Sequence, residues 1–191
     1  MGINHDMLKY FDRILKFMNK DSWHNVTICE YGNQHIKDGF VPFHTAKEWF
    51  VNSGAKHISI DINGMDGSLK LDLSKKISGI GEPFDLITNC GTIEHVAENQ
   101  YWPFKNFHNL VSVGGIMFHV LPLVGNWRGH GYYHYELSFA QKLAYTQKYE
   151  VMLLEILKRK PNRNLIIAIY KKHYDEPFLD ERLFGLIGGI K

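Results

Sequence analysis

The sequence has little of what would indicate secretion, a membrane span or a disulfide framework. Its 191 residues include two cysteines, Cys29 and Cys90, without metal-ligand or disulfide spacing, so both are predicted to be reduced thiols in a cytoplasmic protein. The N-terminal segment is too charged for a signal peptide. The longest clean apolar run, residues 165–170, is far too short to cross a bilayer. A soluble protein without a membrane partner is therefore expected.

Charge of one sign is not in excess either. The 22 Lys and Arg residues nearly balance 20 Asp and Glu residues, so nucleic acid is not a predicted partner. Hydrophobic residues make up 45% of the chain and charged residues 22%, which are ordinary values for a folded globular protein. What the chain has in unusual number is histidine, with 11 residues, several of them between positions 107 and 134.

Hydrophobic periodicity predicts alternating helices and strands along the chain. Helical spacing covers residues 6–19, 45–52, a segment ending near 113, and 137–148. Strand patterns number seven, with the second ended by Asp61, and they cover residues 26–29, 56–60, 69–74, 83–91, 116–121, 149–157 and 164–172. Between the fourth and fifth strands, Gly114 and Gly115 are predicted to form a turn after the helix.

This alternation predicts an α/β fold, with a three-layer, doubly wound, mostly parallel sheet of seven strands. The last two strands lie close in sequence and should pair as a C-terminal antiparallel hairpin. The expected organisation is an N-terminal amphipathic helix in residues 1–25, a main domain in 26–172, and a tail in 173–191 that is weakly ordered or covers a sheet edge.

Small and acidic residues stand at the ends of the first four predicted strands. They are Glu30, Tyr31 and Gly32, then Asp61, Asp72, Asn89 and Gly91. Because the carboxyl ends of parallel strands meet at one edge of a sheet, we expect these residues to surround one crevice. A carboxylate at the end of the second strand is placed to accept hydrogen bonds from both hydroxyls of a ribose.

Taken in order, these segments resemble the class I S-adenosylmethionine-dependent methyltransferases. "ICEYGNQ" resembles a reduced form of the family's first motif, and "ISIDING" the second, with Asp61 at the position of the ribose-binding acid. "LKLDLS", "FDLITNCGTIEHV" and "NLVSVGGIMFHVLP" are similar to the third, fourth and fifth. The resemblance covers residues 26 to about 170, and it depends on the ordered set of motifs.

The resemblance implies S-adenosylmethionine as the cofactor. The cofactor-binding residues that it implies are Glu30, Tyr31, Gly32, Asp61, Ile62, Asp72, Leu73, Asn89 and Gly91. The first motif departs from the family pattern, which usually has two or three glycines after the acid. Here only Gly32 remains, followed by Asn33 and Gln34, so a catalytically inactive cofactor-binding module of the same fold is an alternative.

The histidines and aromatic residues after the fourth and fifth strands are expected on the acceptor side of the crevice. An oxygen or nitrogen acceptor benefits from a base that takes its proton, and the candidate bases are His95, His130 and His134. The candidate substrate contacts are His119, Trp127, Tyr132 and Tyr133. At this chain length there is little room for a separate domain that grips a macromolecule, so a small-molecule or sugar-like acceptor is predicted.

Two further possibilities are weighed on spacing. His130 and His134 would share one face of a helix and could form a metal pair, but "HGYYHYE" is too rich in glycine and tyrosine for a helix, so no metal site is predicted. A nicotinamide-dependent oxidoreductase would need Gly-x-Gly-x-x-Gly after the first strand, and "EYGNQHI" does not supply it. That enzyme class remains the second alternative.

Overall fold

A computed structural model describes residues 2–37, 39, 41–81 and 83–191 of the chain. Its strands are β1 (Thr27–Tyr31), β2 (Lys56–Ile60), β3 (Phe84–Cys90), β4 (Val111–Pro122), β5 (Glu150–Leu157) and β6 (Leu165–Lys171). Its helices are α1 (His5–Phe17), α2 (Ala46–Asn52), α3 (Tyr101–Leu110), α4 (Leu137–Thr146) and α5 (Glu181–Ile187). The predicted alternation of helices and strands is therefore confirmed.

The strands form one mixed sheet in the order β2-β1-β3-β4-β6-β5. The first four strands pair in parallel, with Tyr31 opposite Ile60 on one side and opposite Asn89 on the other. β6 runs antiparallel to β4 and to β5, which confirms the predicted C-terminal hairpin. All four parallel strands thus end at the same edge, as a ligand crevice requires.

Two hydrophobic clusters account for the core. One contains buried side chains of α1 and α2, such as Phe11 and Phe50, packed on sheet residues such as Phe118. The other contains side chains of α3, α4 and α5 packed on the alternate residues of the same strands, such as Met117. Successive residues of a strand point to opposite sides, so the two clusters cover opposite faces of the sheet.

Seven strands were predicted, and the described residues contain six. The segment 69–74 makes only an isolated parallel bridge, in which Leu69 pairs with Ile60. Beyond that bridge the chain turns, because the Asp72 carboxylate accepts a hydrogen bond from the Ser74 backbone N–H at 2.9 Å. Such a side-chain contact offers the backbone an alternative to the sheet ladder.

Two further predicted boundaries were also wrong. The chain after β3 forms a 3₁₀ turn at Ile93–His95, and α3 begins only at Tyr101. The turn forms because Asn89 Oδ1 accepts hydrogen bonds from the backbone N–H groups of Thr92 and Ile93. The predicted Gly114–Gly115 turn lies inside β4, which extends from Val111 to Pro122.

Both ends of the chain pack on the rest of the molecule. Tyr10 of α1 donates a hydrogen bond to Glu155 of β5 at 2.6 Å. In the tail, Phe184 and Ile187 of α5 are buried in a hydrophobic cluster. The last residues then pair with the loop before α4, where the backbones of His134 and Lys191 exchange two hydrogen bonds of 2.9 Å.

One expectation about membranes can be examined in the structure. Within the part of the chain that the structure describes, no helix is both long enough and apolar enough to cross a membrane.

Candidate functional site

A cavity of about 690 Å³ opens at the carboxyl ends of β1, β2 and β3. This is the edge at which the sequence predicts the crevice. The cavity is bounded by the loop after β1, the segments that follow β2, and the 3₁₀ turn after β3. Its volume lies within the range of pockets that enclose a small molecule or cofactor.

The loop after β1 depends on glycine at position 32. Gly32 has a φ of +83°, and a Cβ atom there would lie 2.3 Å from Thr92 Oγ1 and 2.6 Å from Gln34 Nε2. Its backbone N–H donates to the Ile60 carbonyl at 2.8 Å, which joins the loop to the end of β2. Only glycine accepts this conformation and this close approach without strain.

The carboxylate of Asp61 lines the cavity directly after β2. Its Oδ2 accepts a hydrogen bond from the Asn33 backbone N–H at 2.9 Å, and its Oδ1 accepts one from the Asn63 backbone N–H at 3.0 Å. A carboxylate has about four acceptor positions, so both oxygens keep capacity for a ligand. Asp61 is thus held in place without being fully occupied.

Asp72 lines the same cavity from the segment that follows. Hydrogen bonds from the Ser74 backbone and side chain hold the pKa of the Asp72 carboxyl below its usual value. The group is therefore charged at neutral pH. The predicted neighbours Ile62 and Leu73 also line the cavity, together with Leu71.

Three residues with predicted cofactor roles do not reach the cavity. Tyr31 is buried against Phe107, with ring centroids 5.0 Å apart, and Asn89 is buried beneath the turn that it caps. Glu30 lies inside β1, which ends two residues later than predicted, and strand alternation turns its side chain away. The six that do line it are Gly32, Asp61, Ile62, Asp72, Leu73 and Gly91.

Glu30 instead pairs with a histidine inside the protein. Its Oε2 lies 3.5 Å from His57 Nε2, and both side chains are almost completely buried. Burial raises the pKa of the Glu30 carboxyl, while the contact with His57 lowers it. The pair belongs to the core beside α2, where the His57 ring stacks on Phe50.

The three candidate bases separate into two groups. His95 lines the cavity, and its ring lies 4.6 Å from that of His130 between centroids. Burial lowers the pKa of the His95 imidazole, partly opposed by Glu94, so the ring is neutral at pH 7 and can accept a proton. His134 faces away from this pair, with its Nε2 3.2 Å from the Trp127 carbonyl oxygen.

Of the predicted substrate contacts, only Tyr132 lines the cavity. Tyr133 donates to the Glu98 carbonyl at 2.8 Å, and Trp127 packs its ring under the Arg163 guanidinium at 4.9 Å. His119 lies in the core, stacked on Phe107 with ring centroids 4.1 Å apart. The structure thus does not bring His119 to the cavity.

Both cysteines are free and buried. Burial raises the pKa of the Cys29 and Cys90 thiols, so neither is a thiolate at neutral pH. Their positions agree with the interpretation of both residues as small buried side chains.

Comparison by structure identifies the fold. The N-methyltransferase NodS from Bradyrhizobium japonicum WM9, in complex with S-adenosyl-L-homocysteine, superposes with a TM-score of 0.55 at 10% identity, over 90% of this chain and 89% of that chain. Magnesium protoporphyrin IX methyltransferase (ChlM) from Synechocystis PCC 6803, with bound S-adenosylmethionine, gives a TM-score of 0.56 at 8% identity, over 87% and 80%. The chain has the class I methyltransferase fold. No protein-family model and no curated protein sequence matches it.

Within this fold, several cavity residues were not among the predicted site residues. Gln34 and Thr92 lie on the floor, where the Gln34 side chain donates to Thr92 Oγ1 at 2.8 Å and Thr92 Oγ1 donates to the Tyr31 carbonyl at 2.7 Å. Glu98 lies at the mouth in a 2.9 Å ion pair with Lys75. The polar turn after β3 was the available signal for Thr92, whereas nothing local in the sequence marks Glu98.

Proposed function

We propose that the protein is an S-adenosylmethionine-dependent methyltransferase that acts on an oxygen or nitrogen atom of a small-molecule or sugar-like acceptor. The observation that carries this proposal is the position of Asp61, which ends β2 at the crevice and keeps free acceptor capacity on both carboxylate oxygens. Residues 26–172 would form the methyltransferase domain, to which both ends of the chain add packing.

The residues around the cavity fit the cofactor in size and chemistry. Asp61 would accept hydrogen bonds from the ribose hydroxyls, as an acid at this place in an α/β sheet does. The apolar side chains of Ile62, Leu71 and Leu73 would border the adenine. The positive φ values of Gly32 and Gly91 would let the backbone approach the methionine part closely.

S-adenosylmethionine supplies an electrophilic methyl group on a sulfonium. In the transfer, the acceptor heteroatom forms a bond to the methyl carbon while the carbon–sulfur bond breaks, and the acceptor loses a proton. His95, neutral and on the cavity wall, is the candidate base for that proton. Positioning of the acceptor and exclusion of water would supply much of the acceleration.

A small-molecule acceptor agrees with the walls on the other side of the cavity. Tyr132 and Val96 present an aromatic and an apolar surface beside His95. ChlM, whose name gives magnesium protoporphyrin IX as its substrate, has the same fold and acts on a small molecule, which supports this part of the proposal. The sugar-like or planar character of the acceptor here is part of the proposal.

The test is calorimetric titration of the full chain with S-adenosylmethionine and S-adenosylhomocysteine. Asp61→Ala is expected to weaken binding of both ligands by about tenfold or more, because it removes charge-assisted hydrogen bonds. His95→Ala should bind both ligands like wild type, and Asp12→Ala, which removes an exposed carboxylate of α1, should do the same. Circular dichroism of each variant shows that it is folded.

Other outcomes separate the alternatives. No heat from either ligand at millimolar concentration, or unchanged binding by Asp61→Ala, would contradict the proposal. Binding without methyl transfer to any of a panel of hydroxyl and amine acceptors would favour the inactive cofactor-binding module. Protection against thermal unfolding by a nicotinamide dinucleotide, but not by S-adenosylhomocysteine, would favour the oxidoreductase.

A further inference from the structure

Three potential metal ligands meet beside the cavity. Glu94 Oε1 lies 3.8 Å from His95 Nε2 and 3.7 Å from His130 Nε2. One ligand atom from each of the three residues lies within 4.8 Å of the other two. They come from two separate segments, because Glu94 and His95 belong to the 3₁₀ turn after β3, while His130 belongs to the loop after β4.

The carboxylate of Glu94 is buried without a hydrogen bond among the described residues. Its side chain is 0% exposed, and among the described residues neither of its oxygens has a hydrogen-bond partner. His130 Nε2 is also buried and unpartnered in that part of the chain. A buried polar group without a hydrogen bond is costly, and coordination of a metal is one of the ways to offset that cost.

The loop that carries His130 is fitted closely to Glu94. Gly131 has a φ of +72°, and a Cβ atom there would lie 2.9 Å from both Cγ and the carbonyl oxygen of Glu94. The Glu94 carbonyl also accepts hydrogen bonds from the backbone N–H groups of Tyr132 at 2.8 Å and Tyr133 at 3.3 Å. His130 is therefore held over Glu94 by backbone contacts on its C-terminal side.

The surroundings leave one side of this group open. His95 is 43% exposed and lines the cavity, and His130 is 30% exposed. On its other side the His130 ring packs on Trp127, with centroids 5.3 Å apart. An ion held by the three side chains would thus be reached from the cavity.

We propose that Glu94, His95 and His130 bind one divalent transition-metal ion, with Zn²⁺ as the expected ion. Two imidazoles and one carboxylate form a common ligand set for catalytic zinc and for non-haem iron(II), and both leave coordination positions open. In a tetrahedral zinc site with bonds of about 2.1 Å, ligand atoms lie about 3.4 Å apart, so small side-chain rotations bring the three atoms into range. The sequence predicted no metal site, because within its own segment His130 has only His134 at metal-ligand spacing.

The open positions of the ion would face the methyl acceptor. A hydroxyl or amine bound there would be held at the cavity wall, and coordination would favour its deprotonated form. With the ion bound, His95 serves as a ligand, and this effect of the ion replaces its role as the base. This part of the inference rests on the proposed function, whereas the metal site itself does not.

The test uses the full, untagged chain, freed of metal by a chelator and then titrated with Zn²⁺ alone in a calorimeter. Wild type is expected to bind one equivalent. Glu94→Gln should weaken binding by about 100-fold, because loss of a ligand costs at least as much as loss of its outer-shell support. His130→Ala should weaken binding similarly, and it lies in a partly exposed loop where loss of folding is not expected.

His134→Ala is the matched control, since it removes a histidine from the same loop without removing a ligand. It should bind Zn²⁺ like wild type. Replacement of Zn²⁺ by Co²⁺ gives a second measurement, in which wild type should show the visible absorption of cobalt with nitrogen and oxygen ligands and His130→Ala should lose it. Absence of Zn²⁺ binding by wild type, or equal affinity in wild type and His130→Ala, would overturn the proposal.

Titration with S-adenosylhomocysteine on the same samples distinguishes the two proposals. Cofactor binding without Zn²⁺ binding would overturn the metal site and leave the proposed function standing. Zn²⁺ binding without cofactor binding would overturn the proposed function and support the metal site.

Discussion

The side chain of Gln34 donates a hydrogen bond to the Thr92 hydroxyl at 2.8 Å and so joins the loop after β1 to the turn after β3. Gln34 occupies part of the loop where the family motif usually has glycine. The Gln34 side chain is buried in the floor of the crevice, and its hydrogen bond connects the two loops. Gly32 leaves the space that the side chains of Gln34 and Thr92 occupy.

Replacement of Gly32 by alanine is expected to disrupt the hydrogen bond between Gln34 and Thr92. The positive φ alone adds strain of about 1–2 kcal/mol. The added Cβ atom also meets Thr92 and Gln34, so the free energy of unfolding should fall by more than that amount. Affinity for S-adenosylhomocysteine should fall with it. Urea denaturation and calorimetry measure the two effects.

Gly79→Ala is the matched control for Gly32→Ala. Gly79 also has a positive φ, of +72°, but no atom lies within 4 Å of an added Cβ among those compared in the described structure. Gly79→Ala should lose only the strain of the positive φ, about 1–2 kcal/mol of unfolding free energy. Equal losses in the two variants would show that the contacts with Thr92 and Gln34 do not matter.

Stability should fall in mild acid because of His119. Burial lowers the pKa of the His119 imidazole to about 3, against an ordinary value near 6.5. Between these two values the unfolded chain binds a proton that the folded chain does not, so stability is full above pH 6.5 and falls as the pH drops toward 3. This one group should lower the free energy of unfolding by about 2 kcal/mol between pH 7 and pH 5.

His119→Phe should remove that share of the acid sensitivity. The ring would remain among Phe104, Phe107 and Tyr170, so folding at pH 7 should be kept. Urea denaturation at pH 7 and pH 5 gives the difference between wild type and variant. The same loss with pH in both proteins would contradict the assignment.

Lys172 is buried and satisfies backbone groups between α3 and β4. Its ammonium donates to the carbonyls of His108 and Val111, at 3.1 Å and 3.4 Å, and pairs with Asp175 at 3.1 Å. Lys172→Met leaves the two carbonyls without this donor and should cost about 2–4 kcal/mol of unfolding free energy. Lys171→Met, one residue earlier, should change it by no more than about 0.5 kcal/mol.

The Tyr10 side chain links α1 to the edge strand β5 by a hydrogen bond. Loss of its hydrogen bond to Glu155 in Tyr10→Phe should lower the free energy of unfolding by about 1.5–3 kcal/mol, the usual range for a bond to a charged group. Tyr145→Phe on α4, where the side chain is 88% exposed, should leave it unchanged. The melting temperatures of the two variants are compared by thermal unfolding. Similar values would mean that the Tyr10 hydroxyl adds nothing to stability and that Tyr10 contributes only packing.

Residue patterns predicted the fold well where hydrophobic periodicity was strong. α1, α2, α4 and the hairpin of β5 and β6 appear where they were expected. The segment 69–74 also alternates apolar and polar residues, but side-chain bonds from Asp72 turn it out of the sheet. Such competition between a side chain and the backbone ladder cannot be read from periodicity.

The site was predicted as far as strand ends could be placed. Asp61 and Gly32 line the cavity because their strands end there, while β1 continues two residues past its predicted end, so Glu30 lies inside the strand and not in the loop at the crevice. The meeting of Glu94 with His130 could not be predicted, since it depends on how a loop 36 positions later folds back through Gly131.

The pairing of Lys191 with His134 connects the C-terminal tail to the loop beside the cavity. The backbone of the final residues is hydrogen-bonded to the loop that carries His130 and Tyr132. The tail therefore holds in place the part of the cavity wall that Tyr132 forms. Under the proposed function, removal of residues 188–191 should therefore change selection of the acceptor and leave affinity for S-adenosylhomocysteine unchanged.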